Sequence, residues 1–204
     1  MNRLFTACLI FYSVNAFTLT NEDKALYQSC ASCHGPAATG NKTLASPQLA
    51  GQSYGYLKEQ LINFRKGYRG NTKADTHGLV MMGSAQELTD ESIDALAAYI
   101  SALSPQLHRS TISGDAKKGG VFYAKNCGDC HGSRAQGSAS IFTPNLVVLQ
   151  DWYIRGQIAA YRSGWRGNTQ SSTRAKHMRS MAGVFSEQHE VENVIAWLDV
   201  IKSQ

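Results

Sequence analysis

Two CxxCH patterns, Cys30-Ala31-Ser32-Cys33-His34 and Cys127-Gly128-Asp129-Cys130-His131, stand 97 residues apart and limit this chain more than any other feature. Two thiols three residues apart on one helical turn reach both vinyl groups of a single porphyrin, and the adjacent histidine projects beneath it to bind iron. Each pattern reads as the attachment site of one covalent haem c, with Cys30, Cys33, Cys127 and Cys130 as thioether residues and His34 and His131 as iron ligands. A zinc site would need a further CxxC or HxxxH partner nearby, and a thioredoxin-like CxxC needs a βαβ context. Neither is present. A disulfide across CxxC would close only a tiny loop and would leave the histidine after each pair without a reason.

The same spacing of 97 residues carries far beyond the motifs. It superposes Pro47 on Pro144, Leu49 on Leu146, Tyr56 on Tyr153, Gln60 on Gln157, Arg65 on Arg162, Gly67 on Gly164 and Met81 on Met178. It also lays Arg69-Gly70-Asn71-Thr72 on Arg166-Gly167-Asn168-Thr169. After Leu88 and Phe185 the second copy gains a residue, so that Tyr99 meets Trp197. The chain is a tandem duplication. The expected boundaries are a signal peptide at 1–16, a first domain at 17–104, a linker at 105–114 and a second domain at 115–204. Units of this size are marginal for an independent core, and a buried porphyrin would supply the missing apolar contact.

The signal-peptide expectation rests on Asn2-Arg3, the apolar run from Leu4 to Val14, and small residues up to Ala16. The run falls well short of the ~20 residues needed to span a bilayer. It implies secretion into an oxidising space such as a bacterial periplasm, and removal of Cys8. Without Arg3 the net charge is +4, which up to four haem propionates would cancel, so basicity gives no reason to expect nucleic acid as a partner. Split at Ser104, the first half carries 7 basic and 8 acidic residues and the second 12 basic and 7 acidic. Such a dipole can orient an encounter with a charged partner.

Local patterns are helical. Thr20 with Asp23 resembles a capping box ahead of the first motif, and Asp115 takes the N-cap position before the second. Ser53 precedes Leu57, Leu61 and Phe64 at helical spacing, and Asp151 precedes Ile154, Ile158 and Tyr161. Gly67 and Gly164 are expected to end these helices. Thr89 and Ser186-Glu187 open closing helices bearing Ile93, Leu96 and Ile100, and Val191, Ile195 and Leu198. Nothing alternates with period two, so the expected fold is all-α.

A helix leading into CxxCH, a Pro-x-Leu segment, a methionine in the following loop and an amphipathic closing helix resemble class I cytochrome c. Two such units in tandem resemble the diheme cytochrome c4 family, on the duplicated Arg-x-Gly-x-Arg-Gly-Asn segments and on MMGSAQELT from Met81 and MRSMAGVFS from Met178. Gly119-Gly120 stand where the family's first and last helices cross, whereas the first copy has Asp23-Lys24. The resemblance implies two small helical domains, each wrapped around one haem. It places the sixth iron ligand at Met81 and Met178, and has the carbonyls of Pro47 and Pro144 accept from His34 and His131. Met82 and Met181 are the nearest competitors. His77 and His177 do not superpose in the repeat, and His108 and His189 lie away from the motifs. Arg65, Arg69, Arg162 and Arg166 are expected propionate partners, since guanidinium pairs well with carboxylate.

The expected function is electron transfer without substrate turnover, by a monomeric carrier free of the membrane or peripherally associated with it. The resemblance implies a quinol-oxidising complex or a dehydrogenase as donor and a terminal oxidase as acceptor. The enzymatic alternative is a diheme peroxidase, which needs one iron without methionine; the chain offers an equivalent methionine to both. The cytochrome subunit of a periplasmic dehydrogenase is the other alternative.

Overall fold

The computed structural model describes residues 21–204, so the expected signal peptide and the Thr20 cap lie outside the described residues. The helices, in order, are α1 (Asn21–His34), α2 (Tyr54–Arg65), α3 (Thr76–Ala85), α4 (Asp90–Ser101), α5 (Ala116–Asn126), α6 (Gly128–His131), α7 (Asp151–Arg162), α8 (Thr173–Ala182) and α9 (Gln188–Lys202). The fold is all-α. Among the described residues, β pairing is confined to isolated bridges of Asn41 with Ser46 and Ser138 with Thr143, which close matching loops of the two halves.

Polar side chains start the helices where free N–H groups need acceptors. Ser53 accepts from the Tyr56 N–H, Thr89 from Ser92 and Asp115 from Lys118, while Glu187 and Glu190 form a reciprocal box at α9. Helices α2 and α7 stop just before Gly67 and Gly164, both at positive φ. Asp151 is the first residue of α7, and Gln150 holds the N-cap position. The Asp151 carboxylate turns toward the segment between the halves, accepting from the Thr111 N–H at 2.7 Å, Thr111 Oγ1 at 2.9 Å and Ser110 Oγ at 3.1 Å.

Each half buries its own cluster. Tyr27, Leu57, Leu96, Ala97 and Ile100 form the first, and Tyr123, Ile154, Val191, Ile195 and Leu198 the second. In the second half α5 crosses α9 backbone to backbone: a methyl group on Gly119 would stand 1.9 Å from the Asn193 carbonyl oxygen. The first crossing has no glycine and is filled by side chains, with the Tyr27 and Tyr99 rings 5.3 Å apart, against 4.3 Å for Tyr123 and Trp197.

One difference between the copies is absorbed in the backbone. Tyr27 precedes Cys30 by three residues, while Tyr123 precedes Cys127 by four. Helix α1 runs unbroken through its motif, but the second copy breaks at Cys127 (φ −125°, ψ −30°), dividing α5 from α6. The surplus residue is taken up there, and both tyrosine hydroxyls still donate to the carbonyl just after the motif, Gly35 and Gly132, at 2.8 Å each.

Burial pushes the Asp151 carboxyl up, but the donors from Thr111, Trp152 and Ser110 outweigh it and hold the group below its ordinary value. A depressed folded-state pKa contributes stability above the unfolded value of about 3.9, and that contribution is lost as the pH falls through the folded value. Asp151→Asn is expected to lower the unfolding free energy at neutral pH by about 1–3 kcal/mol. The difference from the parent should shrink on acidification. Denaturant unfolding at a series of pH values checks both.

Candidate haem sites

His34 closes α1 with 4% of its surface exposed, and its Nδ1 donates to the Pro47 carbonyl at 2.8 Å. Since a carbonyl only accepts, Nδ1 carries the proton and Nε2 presents a lone pair. That Nε2 is buried and has no hydrogen-bond partner. Such an orphaned atom is an exception in a folded interior, and an iron ligated there would satisfy it; the residues present fit a c-type haem. His131 repeats the bond to a proline carbonyl, 8% exposed, with Nδ1 at the longer distance of 3.3 Å from the Pro144 carbonyl. Burial lowers the pKa of both imidazoles, against the opposing pull of the proline carbonyls, which favours the neutral, metal-binding form.

The cysteines flank these histidines on the same short stretch of chain, partly exposed and unpaired with one another. Burial pushes the Cys127 thiol up to about 11 and raises Cys30 as well. Met81 and Met178 do not lie in loops, as the sequence suggested, but in α3 and α8, where both are half-buried. The preceding turns seat these helices. Gly70, at φ 79°, comes so close to α3 that a methyl group would stand 2.1 Å from the Gly78 carbonyl oxygen, and Gly167 approaches the Ala175 carbonyl oxygen in the same way. Met82 sits over Gly67, and Arg179, its match in the repeat, covers Gly164. His77 and His177 are exposed on these helices.

The four arginines part ways. Arg65 donates to the Leu88 carbonyl at 2.8 Å and pairs with Asp90, while Arg162 is exposed. Arg69 and Arg166 are buried where the halves meet. Arg69 donates to Gln60 at 2.8 Å in its own half, and to Tyr153 at 2.8 Å and Gln157 at 3.0 Å in the other. Arg166 mirrors it, donating to Gln157 at 2.6 Å and across to Gln60 at 2.8 Å. Their guanidinium charges pull the Tyr153 phenol below its ordinary value despite its burial.

A second set of amides at this boundary escaped the sequence reading. Gln48, Gln52 and Gln150 are buried there, and Gln52 and Asn145 bond to each other twice. Gln60 and Gln157 stood out as repeated residues, as did Tyr56 and Tyr153, but their pairing across the halves had no signal in one sequence. Gln52 and Gln150 have no match in the repeat, since Leu149 and Ser53 stand at those places.

The family model for cytochrome c matches residues 22–104 and again 116–202. The chain belongs to the cytochrome c family, as a tandem, diheme member of the cytochrome c4 type, with two c-type haems held through its CxxCH motifs. It is 35% identical over 152 residues to a thiosulfate dehydrogenase electron acceptor of Thiomonas intermedia, a match covering 68% of this chain and 64% of that protein. A protein of the same description from Stutzerimonas stutzeri is 31% identical over 164 residues, covering 76% of this chain and 72% of the relative. The solved cytochrome c4 of Acidithiobacillus ferrooxidans superposes with a TM-score of 0.69 at 27% identity, covering 85% of this chain and 98% of that one.

Replacing Arg69 or Arg166 by leucine removes charge-assisted bonds between the halves, each worth about 1.5–3 kcal/mol. Calorimetry is expected to show a lowered melting temperature for either variant, and two separated transitions for the double variant in place of one.

Proposed function

We propose that the protein is a periplasmic electron carrier whose two irons are both closed, ligated by His34 with Met81 and by His131 with Met178. The supporting observation is that the two halves repeat one iron-site pattern without an exception: a buried histidine held by a proline carbonyl, followed 47 residues later by a half-buried methionine on a helix. Repeat symmetry favours Met81 over Met82, since the match of Met82 is Arg179, which cannot ligate iron. A peroxidase would need the symmetry broken to leave one iron open. Haem with histidine and methionine ligands supplies a one-electron couple at raised potential. The chain's part is to orient the imidazoles through Pro47 and Pro144 and to keep water from the irons. The domain boundaries at 17–104 and 115–204, joined by 105–114 and preceded by a signal peptide at 1–16, belong to the same proposal. No helix among the described residues is long and apolar enough to cross a membrane.

The partners are redox proteins. Relatives described as electron acceptors of thiosulfate dehydrogenase support a dehydrogenase as donor, with a quinol-oxidising complex as the other candidate and a terminal oxidase as acceptor. Docking is asymmetric. Helix α8 presents Lys176 and Arg179 around Met178 and carries no acidic residue of its own, while its Arg174 is paired with Glu59 at 2.8 Å; α3 around Met81 has neither Lys nor Arg.

Met81→Ala and Met178→Ala are each expected to convert one haem to a different coordination and lower its potential, because a thioether stabilises Fe(II). Met82→Ala and Met181→Ala should be much milder. The thioether-to-Fe(III) charge-transfer band and a redox titration read both; loss of the band on replacing Met82 or Met181, with the neighbour's variant keeping it, contradicts the assignment.

Charge reversal at Lys176 and Arg179 should slow association with an acidic redox partner and weaken its salt dependence, while reversal at Lys66 and Lys73 should matter less. Stopped-flow association rates at several ionic strengths check this, and equal effects from both pairs would leave the charge asymmetry without a role.

A further inference from the structure

The peptide group that accepts each histidine's proton is bonded at its other end to the opposite half. The Pro47 carbonyl, which receives His34 Nδ1, shares its peptide with the Gln48 N–H, and that N–H donates to Gln150 Oε1 at 3.0 Å. The Pro144 carbonyl, which receives His131 Nδ1, shares its peptide with the Asn145 N–H, and that N–H donates to Gln52 Oε1 at 3.0 Å. Two chains of hydrogen bonds thus run in opposite directions across the boundary, each from an imidazole through one peptide to an amide of the other half.

The acceptors are themselves fixed and dry. Gln150 is 7% exposed and donates from Nε2 to the Thr39 carbonyl at 3.0 Å; Gln52 is 3% exposed and donates to the Asn145 carbonyl at 2.7 Å. Gly40 and Gly137 press on these same peptides: a β-carbon on Gly40 would stand 2.6 Å from the Gln48 nitrogen, and one on Gly137 2.7 Å from the Asn145 nitrogen. Neither peptide can turn away or exchange its partner for water without moving the loop.

A peptide is a resonance unit, so donation from its N–H increases the negative charge on its carbonyl oxygen. A stronger acceptor draws the imidazole proton further and raises the basicity of the ligating nitrogen, which favours Fe(III). We propose that each proximal histidine is tuned from the opposite half, the His34–Pro47 bond by Gln150 and the His131–Pro144 bond by Gln52. This rests on the ligation of iron by His34 and His131 argued above. Gln150 and Gln52 are positioning residues; neither touches an iron ligand. A change made in one half is felt at the iron of the other, through two hydrogen bonds and one peptide.

The test is a crossed pair of variants of the full two-haem protein, Gln150→Met and Gln52→Met, which remove the acceptor at similar volume. The two potentials are followed separately through the haem methyl resonances during a redox titration. Gln150→Met should raise the potential of the first-half haem more than that of the second, and Gln52→Met the reverse. In reduced protein labelled with ¹⁵N-histidine, the His34 Nδ1–H resonance should move upfield in Gln150→Met and that of His131 in Gln52→Met. Gln150→Asn, a shorter amide that draws the acceptor back, should act in the same direction as Gln150→Met and serves where the latter assembles poorly. Shifts confined to the haem of the substituted half, or equal shifts at both, overturn the proposal. The haem spectrum of the unsubstituted protein tests the ligation by itself, so absent crossed shifts in a chain with two low-spin haems refute the tuning alone and leave the carrier reading intact.

Discussion

The hydrogen bond from each histidine Nδ1 to a proline carbonyl decides what the surrounding chain has to accomplish. It fixes the tautomer, directs Nε2 into the interior and leaves it with no protein partner, as seen at His34. A buried nitrogen in that condition costs free energy unless something ligates it. The tyrosine hydroxyls on Gly35 and Gly132, and the loops that bring Pro47 and Pro144 back to the motif, hold the arrangement in both halves. Because the same peptides that accept these protons face the boundary between the halves, the histidines and the boundary are parts of one hydrogen-bonded structure.

Each half keeps its own small apolar cluster, and the boundary between them carries a polar network. Amides of Gln48, Gln52, Gln60, Gln150 and Gln157 meet there with two arginines, and among the described residues Arg69 and Arg166 form no pair with a carboxylate. Buried polar groups of this kind demand mutual satisfaction and so specify one register between the halves. The segment joining them is tied down as well, with Asp151 accepting from Ser110 and Thr111, and Lys202 donating to the His108 carbonyl at 3.0 Å. The duplication thereby yields a pair of domains in fixed relation.

The parts of this structure legible in the sequence are those that chemistry spaces rigidly. Cysteine spacing, the adjacent histidines, the repeated methionines and the apolar stripes of α4 and α9 recur at intervals set by a porphyrin or by helical periodicity. Helix α3, THGLVMMGSA, shows no such stripe; it forms because Asp75 caps it and Gly70 lets the preceding turn lie against it, and a linear pattern conceals both. The break at Cys127 was hidden for a related reason, since an extra residue before a motif looks the same whether it lengthens a helix or interrupts one. The bonds of Asp151 left no trace in the pattern because its partners, Ser110 and Thr111, lie in a segment with no periodic signal. Gln52 and Gln150 were invisible because each acts on the other half at a place the repeat does not match.

The central claim is that both irons are closed and serve only to pass electrons, and carbon monoxide binding to the fully reduced protein tests it most directly. A closed histidine–methionine pair leaves no position for a diatomic ligand, so the reduced spectrum is expected to stay unchanged under carbon monoxide at neutral pH, with two haems counted per chain. A photolabile carbon monoxide complex at either haem in the unsubstituted protein would contradict the account and point to an iron kept open for chemistry.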